Sequence, residues 1–250
     1  MTSADFSSIA DDFFVNLALQ TTLALPESRE TILHFCEAVQ KEFRSMTTLY
    51  QRDSGEYVLE GNREAGSYQW LELQTNRLSA GYFNPPDLAA AYRMHRWLLD
   101  RSVYYVGISA LDIECLDLMF AFNLDFVGNR DAVVAQALLA GVPLVAMSAE
   151  DGAKCVECEP NIVFALDADC YRQVRLSVET RGSSYQVRTG QYSDDPISVY
   201  LTIRDYPCPD EMIDANKSFA RQCEVAEDVA CRIVIPQVIQ PLAAAIATAQ

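Results

Sequence analysis

The sequence has 250 residues, of which 50% are hydrophobic and 22% are charged, as in an ordinary folded globular protein. This composition excludes disordered, collagen-like and low-complexity chains. Only 19 basic residues stand against 35 acidic ones, and the net charge of −16 disfavours binding to nucleic acid or to an anionic membrane surface.

Four segments alternate apolar and polar residues with the period of two that indicates a strand with one buried face. They start near Val15, Leu116, Val174 and Ile197. Strands that lie between two helical layers read instead as continuous apolar runs, so this alternation predicts an antiparallel sheet covered on one side only. A doubly wound nucleotide-binding fold is therefore disfavoured.

Apolar stripes at helical spacing predict helices over 27–46, 87–106, 130–140 and 209–235. The last of these is expected to begin near Pro209 and Asp210. Pro236 is expected to kink or interrupt it, because proline lacks a backbone N–H. The uncharged run 233–250 is interpreted as the tail of this amphipathic helix and not as a membrane span.

The helix over 87–106 is apolar around much of its circumference. Its main stripe includes Leu88, Tyr92 and His95, while Met94 and Trp97 lie off that stripe. A helix of this kind needs cover on more than one side. The sequence therefore predicts cover from elsewhere in the chain or from another subunit, and a homodimer is one expected form.

The order of the elements runs through the chain twice. The first pass is a strand over 13–25, a helix, hairpin strands near 48–60 and 68–80, and a long helix. The second pass is a strand over 111–127, a helix, several strands between 161 and 204, and a long helix. The predicted fold is therefore α+β, a mainly antiparallel sheet with helices packed on one face, built from two β-α-β(n)-α halves by pseudo-twofold duplication. Its predicted parts are a tail over 1–12 and two halves, 13–110 and 111–250, that share one sheet.

Three stretches of the chain carry a resemblance to a known family. They are WLELQTNRLSAGYFNPPDLAAAYRMHRWLLD (70–100), IECLDLMFAFNLDF (113–126) and NRDAVVAQALL (129–139). Here the chain resembles a sporadically distributed bacterial family of uncharacterised proteins, with a duplicated fold related to the TATA-binding-protein superfamily. The resemblance does not include the proline-rich opening that such proteins often show. It implies a fold, but no activity and no functional residues.

Few patterns in the sequence indicate chemistry. Cys155 and Cys158 form a CxxC motif, but a zinc site would need a second pair or histidines nearby, so unpaired thiols are favoured over zinc and over a redox dithiol. Glycine-rich loops that cradle phosphate groups are also absent. We therefore expect no metal and no cofactor.

The eight cysteines are spread along the chain, and the acidic start lacks the pattern of a secretory signal. Reduced thiols in the cytoplasm are the simplest interpretation.

The polar side of the predicted sheet is the leading candidate for a functional surface. Its outward residues mix aromatic, arginine and acidic side chains, a mixture found at interaction surfaces. They are Tyr68, Trp70, Glu72 and Gln74 in the first half, and Arg175, Glu179, Tyr200 and Arg204 in the second. The sequence thus favours a non-catalytic binding or assembly module with a protein partner or a second copy of itself.

An alternative from a different class is a small-molecule binder or enzyme. Its pocket would lie between the sheet and the long helix, near His95 and Tyr92. A cavity that holds His95 together with carboxylate or arginine groups would favour this alternative, whereas a filled core would favour the binding module.

Overall fold

The computed structural model describes residues 6–143, 146, 150–208 and 212–249. Within these residues, nine strands form one antiparallel sheet. The strands are β1 (Asp12–Thr21), β2 (Thr48–Gln51), β3 (Tyr57–Glu60), β4 (Tyr68–Gln74), β5 (Arg77–Phe83), β6 (Ile113–Leu124), β7 (Asn161–Ala165), β8 (Arg172–Glu179) and β9 (Ile197–Asp205). Their order across the sheet is β2-β3-β4-β5-β1-β6-β9-β8-β7.

The alternation in the sequence sets which side of the sheet is buried. In the central strands, Leu17 lies opposite Leu118, and Leu118 lies opposite Ile203. All three side chains belong to a single hydrophobic core that also contains buried residues of the helices. The predicted α+β fold, with an antiparallel sheet whose one face carries the core and the helices, is confirmed.

The four predicted helices follow the strands in the predicted order, but the short helix over 184–189 lies in a stretch where the sequence predicts strands only. The helices are α1 (Arg29–Glu42), α2 (Leu88–Tyr105), α3 (Arg130–Leu138), α4 (Ser184–Thr189), α5 (Ala215–Val229), a π-helical segment (Ala230–Ile239) and α6 (Gln240–Ala249). Side-chain oxygens of Ser28, Asp87, Asn129 and Asp214 accept hydrogen bonds from the first turns of α1, α2, α3 and α5, which explains where these helices begin. The predicted start near 209 falls on residues 209–211, outside the described part of the chain, but the described residues 212–214 are not helical and α5 begins only at Ala215.

Several predicted boundaries differ from the structure. α1 ends at Glu42 and not at 46, and the strand predicted over 111–127 is Ile113–Leu124. Two further differences have a visible reason. The first strand ends at Thr21 and not at 25, because the Thr21 hydroxyl donates to the Leu23 carbonyl at 2.7 Å and turns the chain out of the sheet. The last helix does not end at 235. It continues through Pro236 to Ala249, with the π-helical segment around the proline.

The helical run Ala215–Ala249 is long and apolar enough to cross a membrane by length and composition alone. In this fold its apolar stripe, which includes Phe219, Val234 and Leu242, joins the hydrophobic core. The interpretation of the last residues as the tail of an amphipathic helix agrees with this packing.

The apolar circumference of α2 is covered from within the chain. On one side the Phe43 ring, just beyond α1, meets Trp97 edge-to-face with ring centroids 5.5 Å apart. On the other side Tyr92 meets Phe219 of α5 at 5.8 Å. The expectation of cover on more than one side is met from within the chain, although Val103 and Tyr104 near the end of α2 stay exposed, and a homodimer at this helix stays a prediction.

Strands from both predicted halves lie in the one sheet, and β1 and β6 pair at its centre. The strand order does not by itself establish a duplication. That part of the sequence interpretation stays a prediction.

Candidate functional site: the open face of the sheet

One side of the sheet carries residues that do not belong to the hydrophobic core. We call this side the open face and define it by its larger side chains: Phe14, Asn16, Tyr68, Trp70, Glu72, Gln74, Phe83, Met119, Arg175, Glu179, Tyr200, Thr202 and Arg204. The register of the strands brings together on this face all eight residues that the sequence analysis selected.

A row of stacked aromatic rings crosses the open face. Strand register places Phe83 between Tyr68 and Phe14. The Phe83 ring stacks on Tyr68 with centroids 5.2 Å apart and on Phe14 with centroids 5.5 Å apart. Offset stacking at such distances favours a rigid arrangement. All three side chains are half-exposed, so the row forms a preformed apolar strip on the surface.

Trp70 lies against the sheet beside this row. Its neighbour in β5 is Gly81, and any Cβ at that position would collide with the indole ring and with the Asn16 side chain. Glycine is therefore needed for close approach, in keeping with its usual role inside a strand. The Oδ1 atom of Asn16 is buried and has no hydrogen-bond partner in the described part of the structure.

Three of the four predicted charged residues are already paired within the chain: Glu179 pairs with Arg181, and Arg204 and Glu72 are also paired. Arg204 donates to both carboxylate oxygens of Asp117, from Nε at 2.7 Å and from Nη2 at 2.6 Å, and this bonding raises the pKa of Arg204. Glu72 accepts from Gln74 and pairs with Arg52 at 2.9 Å. These groups stiffen the face and are not free to meet a partner's charge.

Arg175 is different, because it is exposed and makes no hydrogen bond or ion pair with any described residue. Its neighbours across the sheet are Thr202 and Val163, both uncharged. Arg175 is therefore an exposed open-face cation that is available to an acidic group. Arg77, half-buried opposite Gln74 on the same face, also has no ion pair with a described residue.

Arg181, which the sequence analysis missed, completes one end of the face. Its guanidinium donates to the Tyr200 hydroxyl at 2.7 Å, to the Ser198 hydroxyl at 2.9 Å and to Glu179 at 3.3 Å. Arg181 adopts a left-handed backbone conformation with φ of 52°, which local periodicity does not reveal.

The loop that carries Arg181 is held by two buried neighbours at the start of α3. Arg130 donates to the backbone carbonyls of Thr180 at 2.6 Å, Ser193 at 2.8 Å and Asp195 at 2.7 Å. Asp131 accepts from the Thr180 hydroxyl at 2.7 Å. Because both residues satisfy buried backbone and side-chain groups, their first role is to position this loop.

None of four large clefts in the described part of the chain is lined by His95 or Tyr92, including the one of about 460 Å³ between the end of α2 and the sheet. The His95 side chain is fully buried; its Nε2 lies 3.2 Å from the Val15 carbonyl, and its ring meets Phe219. Tyr92 donates to Glu227 at 3.0 Å, and burial raises its pKa well above the usual range. The other clefts include one of about 540 Å³ at the start of α1 and one of about 630 Å³ beside α3.

The cysteine motif also lacks features of a reactive site. Burial raises the pKa of both thiols, that of Cys158 to about 11, so neither is an activated thiolate at neutral pH. Among the described residues, no three His, Cys, Asp or Glu side chains are grouped so that they would hold a metal ion.

Comparisons of the sequence with models of known protein families and with curated proteins find no match to either. The resemblance to the duplicated family therefore stays a prediction.

Proposed function

We propose that this chain is a non-catalytic protein-binding module whose open face receives a segment of a partner protein. The observation that carries the proposal is the one-sided cover of the sheet. Its helices pack on one face, whereas the other presents the stacked row of Phe14, Phe83 and Tyr68 with Trp70 beside it.

The chemistry of the face supports a protein partner over other classes. Aromatic and arginine side chains are enriched at the energetic centres of protein interfaces. The net charge of −16 opposes the phosphate backbone of a nucleic acid. The matching partner segment has apolar side chains that pack on the aromatic row and an acidic group that meets Arg175.

Site-specific photo-crosslinking in the organism that encodes the chain tests this proposal. A benzophenone amino acid replaces either Tyr68, on the open face, or Tyr104, which is 80% exposed at the end of α2. We expect a covalent adduct with one protein from the Tyr68 position and none with that protein from the Tyr104 position. Because both positions are tyrosines of the same chain, the Tyr104 variant is the matched control.

A second substitution shows whether the adduct depends on the face itself. Trp70→Ala should lower the adduct yield at least about tenfold, since truncation of a central aromatic costs about 2 kcal/mol of binding energy. Trp70→Phe should retain most of it. Equal adducts from both tyrosine positions, no adduct from Tyr68, or indifference to Trp70→Ala would each count against the proposal.

The cytoplasm is the proposed compartment. All eight cysteines are free thiols in this structure, including the exposed Cys170 and Cys208, which suits a reducing environment.

A further inference from the structure

The outer strand β7 is an exposed apolar edge. Every residue from Asn161 to Ala165 is exposed, with Ile162 at 50% and Phe164 at 59%. The strand contains no charged residue and no proline, the usual devices that keep a free edge from pairing. Such an edge is a template for another strand.

The hydrogen-bond pattern shows which backbone groups of β7 are free. The Leu166 N–H donates to the Arg172 carbonyl, and the Val178 N–H donates to the Pro160 carbonyl. In an antiparallel pair, residues alternate between bonding the neighbour and pointing away from it. The N–H and C=O groups of Asn161, Val163 and Ala165 therefore point away from β8, and no described strand pairs with them.

The helical layer stops short of this edge. Val174 and Leu176 of β8 are only half-buried on the helix side, and Ile162 and Phe164, paired with them, are exposed. A strand added at β7 would meet both free backbone groups and uncovered apolar side chains.

We propose that β7 pairs in antiparallel fashion with β7 of a second copy of this chain, about a twofold axis at Val163. This register places Val163 opposite its own copy and Asn161 opposite Ala165 of the other copy. It thereby satisfies every outward N–H and C=O group of both strands. It also places Ile162 opposite Phe164 of the other copy, which is a favourable aromatic–β-branched cross-strand pair.

The choice of a second copy as the occupant rests on this self-complementarity. A C2 interface requires that a residue and its partner exchange places under the twofold, and the five residues of β7 do so without placing a charge opposite a like charge. Glu159 and Pro160 directly precede β7, and Asp167 lies two residues after it, so the pairing is confined to the five residues of the strand. The opposite edge, β2, has four residues and is followed directly by Arg52 and Asp53. The dimer does not depend on what binds the open face.

Light scattering coupled to size-exclusion chromatography tests the proposal on the full chain. The wild-type protein should have the mass of a dimer at micromolar concentration. Val163→Lys should weaken the dimer on the order of 100-fold, because it places two ammonium groups opposite each other at the axis. Leu49→Lys makes the same charge change on the other edge strand and should leave the dimer intact.

A charge-complementation experiment separates loss of pairing from loss of folding. Val163→Lys should be monomeric alone, and an equimolar mixture with Val163→Glu should form a heterodimer. Val163→Glu need not be monomeric, because Arg175 lies directly across from position 163 in each copy and offsets the added carboxylate. A monomeric wild-type protein at about 100 μM, a Val163→Lys protein that remains dimeric, or a mixture that stays monomeric would overturn the proposal.

Hydrogen exchange on the wild-type protein locates the interface independently. The amides of Asn161, Val163 and Ala165 should exchange rapidly in dilute monomer and become protected as the concentration rises. Concentration-independent exchange at these amides, in a protein that does dimerise, would also overturn the proposal.

Discussion

Single buried polar side chains tie the helices to the sheet. His95 of α2 lies 3.2 Å from the Val15 carbonyl. Gln222 of α5 donates to the carbonyls of Leu116 at 2.8 Å and Ile203 at 3.2 Å. Because a carbonyl only accepts, the His95 bond requires the proton on Nε2, and Nδ1 has no hydrogen-bond partner among the described groups. Protonation of Nδ1 would therefore place an unpaired charge in the core.

Burial lowers the pKa of His95 to about 4, despite the opposing effect of the Val15 carbonyl. The unfolded chain has the ordinary value near 6.5, so between about pH 4 and 6.5 the unfolded state binds more protons. The contribution of His95 to the unfolding free energy is fully present above about pH 6.5 and falls as the pH decreases towards 4. We expect a loss of about 2 kcal/mol in unfolding free energy between pH 7 and pH 5 from His95 alone.

Urea unfolding of His95→Gln at the two pH values measures this contribution. The variant should lose about 2 kcal/mol less than the wild type between pH 7 and pH 5. His34→Gln is the control, because His34 is exposed at the surface of α1. If the stabilities of the wild type and of His95→Gln respond equally to pH, the prediction that His95 is buried in its neutral form is wrong.

At the scale of elements, the last helix shows why proline did not end it. One row of its buried residues recurs every four positions, at Ala226, Ala230, Val234, Val238, Leu242 and Ile246, and Ile235, Ile239 and Ala245 beside this row are also buried. In an α-helix each such step overshoots a full turn by about 40°, so the stripe would drift off the core within a few turns. The π-helical segment has a wider turn and restores the alignment. In a π-helix each backbone N–H bonds the carbonyl five positions earlier and not four. The carbonyl that is left without a donor by Pro236 is therefore a different one from that in an α-helix.

The packing of α6 against the core predicts the cost of truncating its buried leucine. Leu242→Ala should lower the unfolding free energy by about 3 kcal/mol, because Leu242 has no exposed surface and its removal leaves a cavity. Gln240→Ala, at an exposed position two residues earlier, should change it by less than about 0.5 kcal/mol. Denaturant unfolding of both proteins measures the difference, and similar stabilities would show that α6 does not pack as described.

At the scale of the whole molecule, stability should be greatest where a strand has a paired neighbour on each side and helices cover its inward face. β1 and β6 pair at the centre, each with a second neighbour, and their inward side chains lie under the helices. We expect the amides of these two strands to exchange most slowly and those of the edge strand β2 to exchange much faster. Mass-spectrometric hydrogen exchange measures this order. Equal protection of β2 and β6 would contradict it.

The sequence predicted much of the candidate site, but not all of it. The period of two placed Tyr68, Trp70, Arg175 and Tyr200 on the wet side of their strands, and the structure has them on one face. It did not reveal the row through Phe14, whose partner Phe83 lies far along the chain. That contact depends on the β1–β5 register, and many registers satisfy the same local alternation.

The sequence by itself determined the elements, their order and the side of each strand that would be buried, because these follow from the spacing of apolar residues along a short segment. Only the tertiary structure decided that β1 pairs with β6, that α2 is enclosed by α1 and α5, and that β7 extends beyond the helical layer. These features depend on contacts between segments distant in sequence, which compete for the same apolar surface and leave no local pattern. The open face was therefore foreseeable as a surface, whereas the exposed edge became visible only when all the strands were in place.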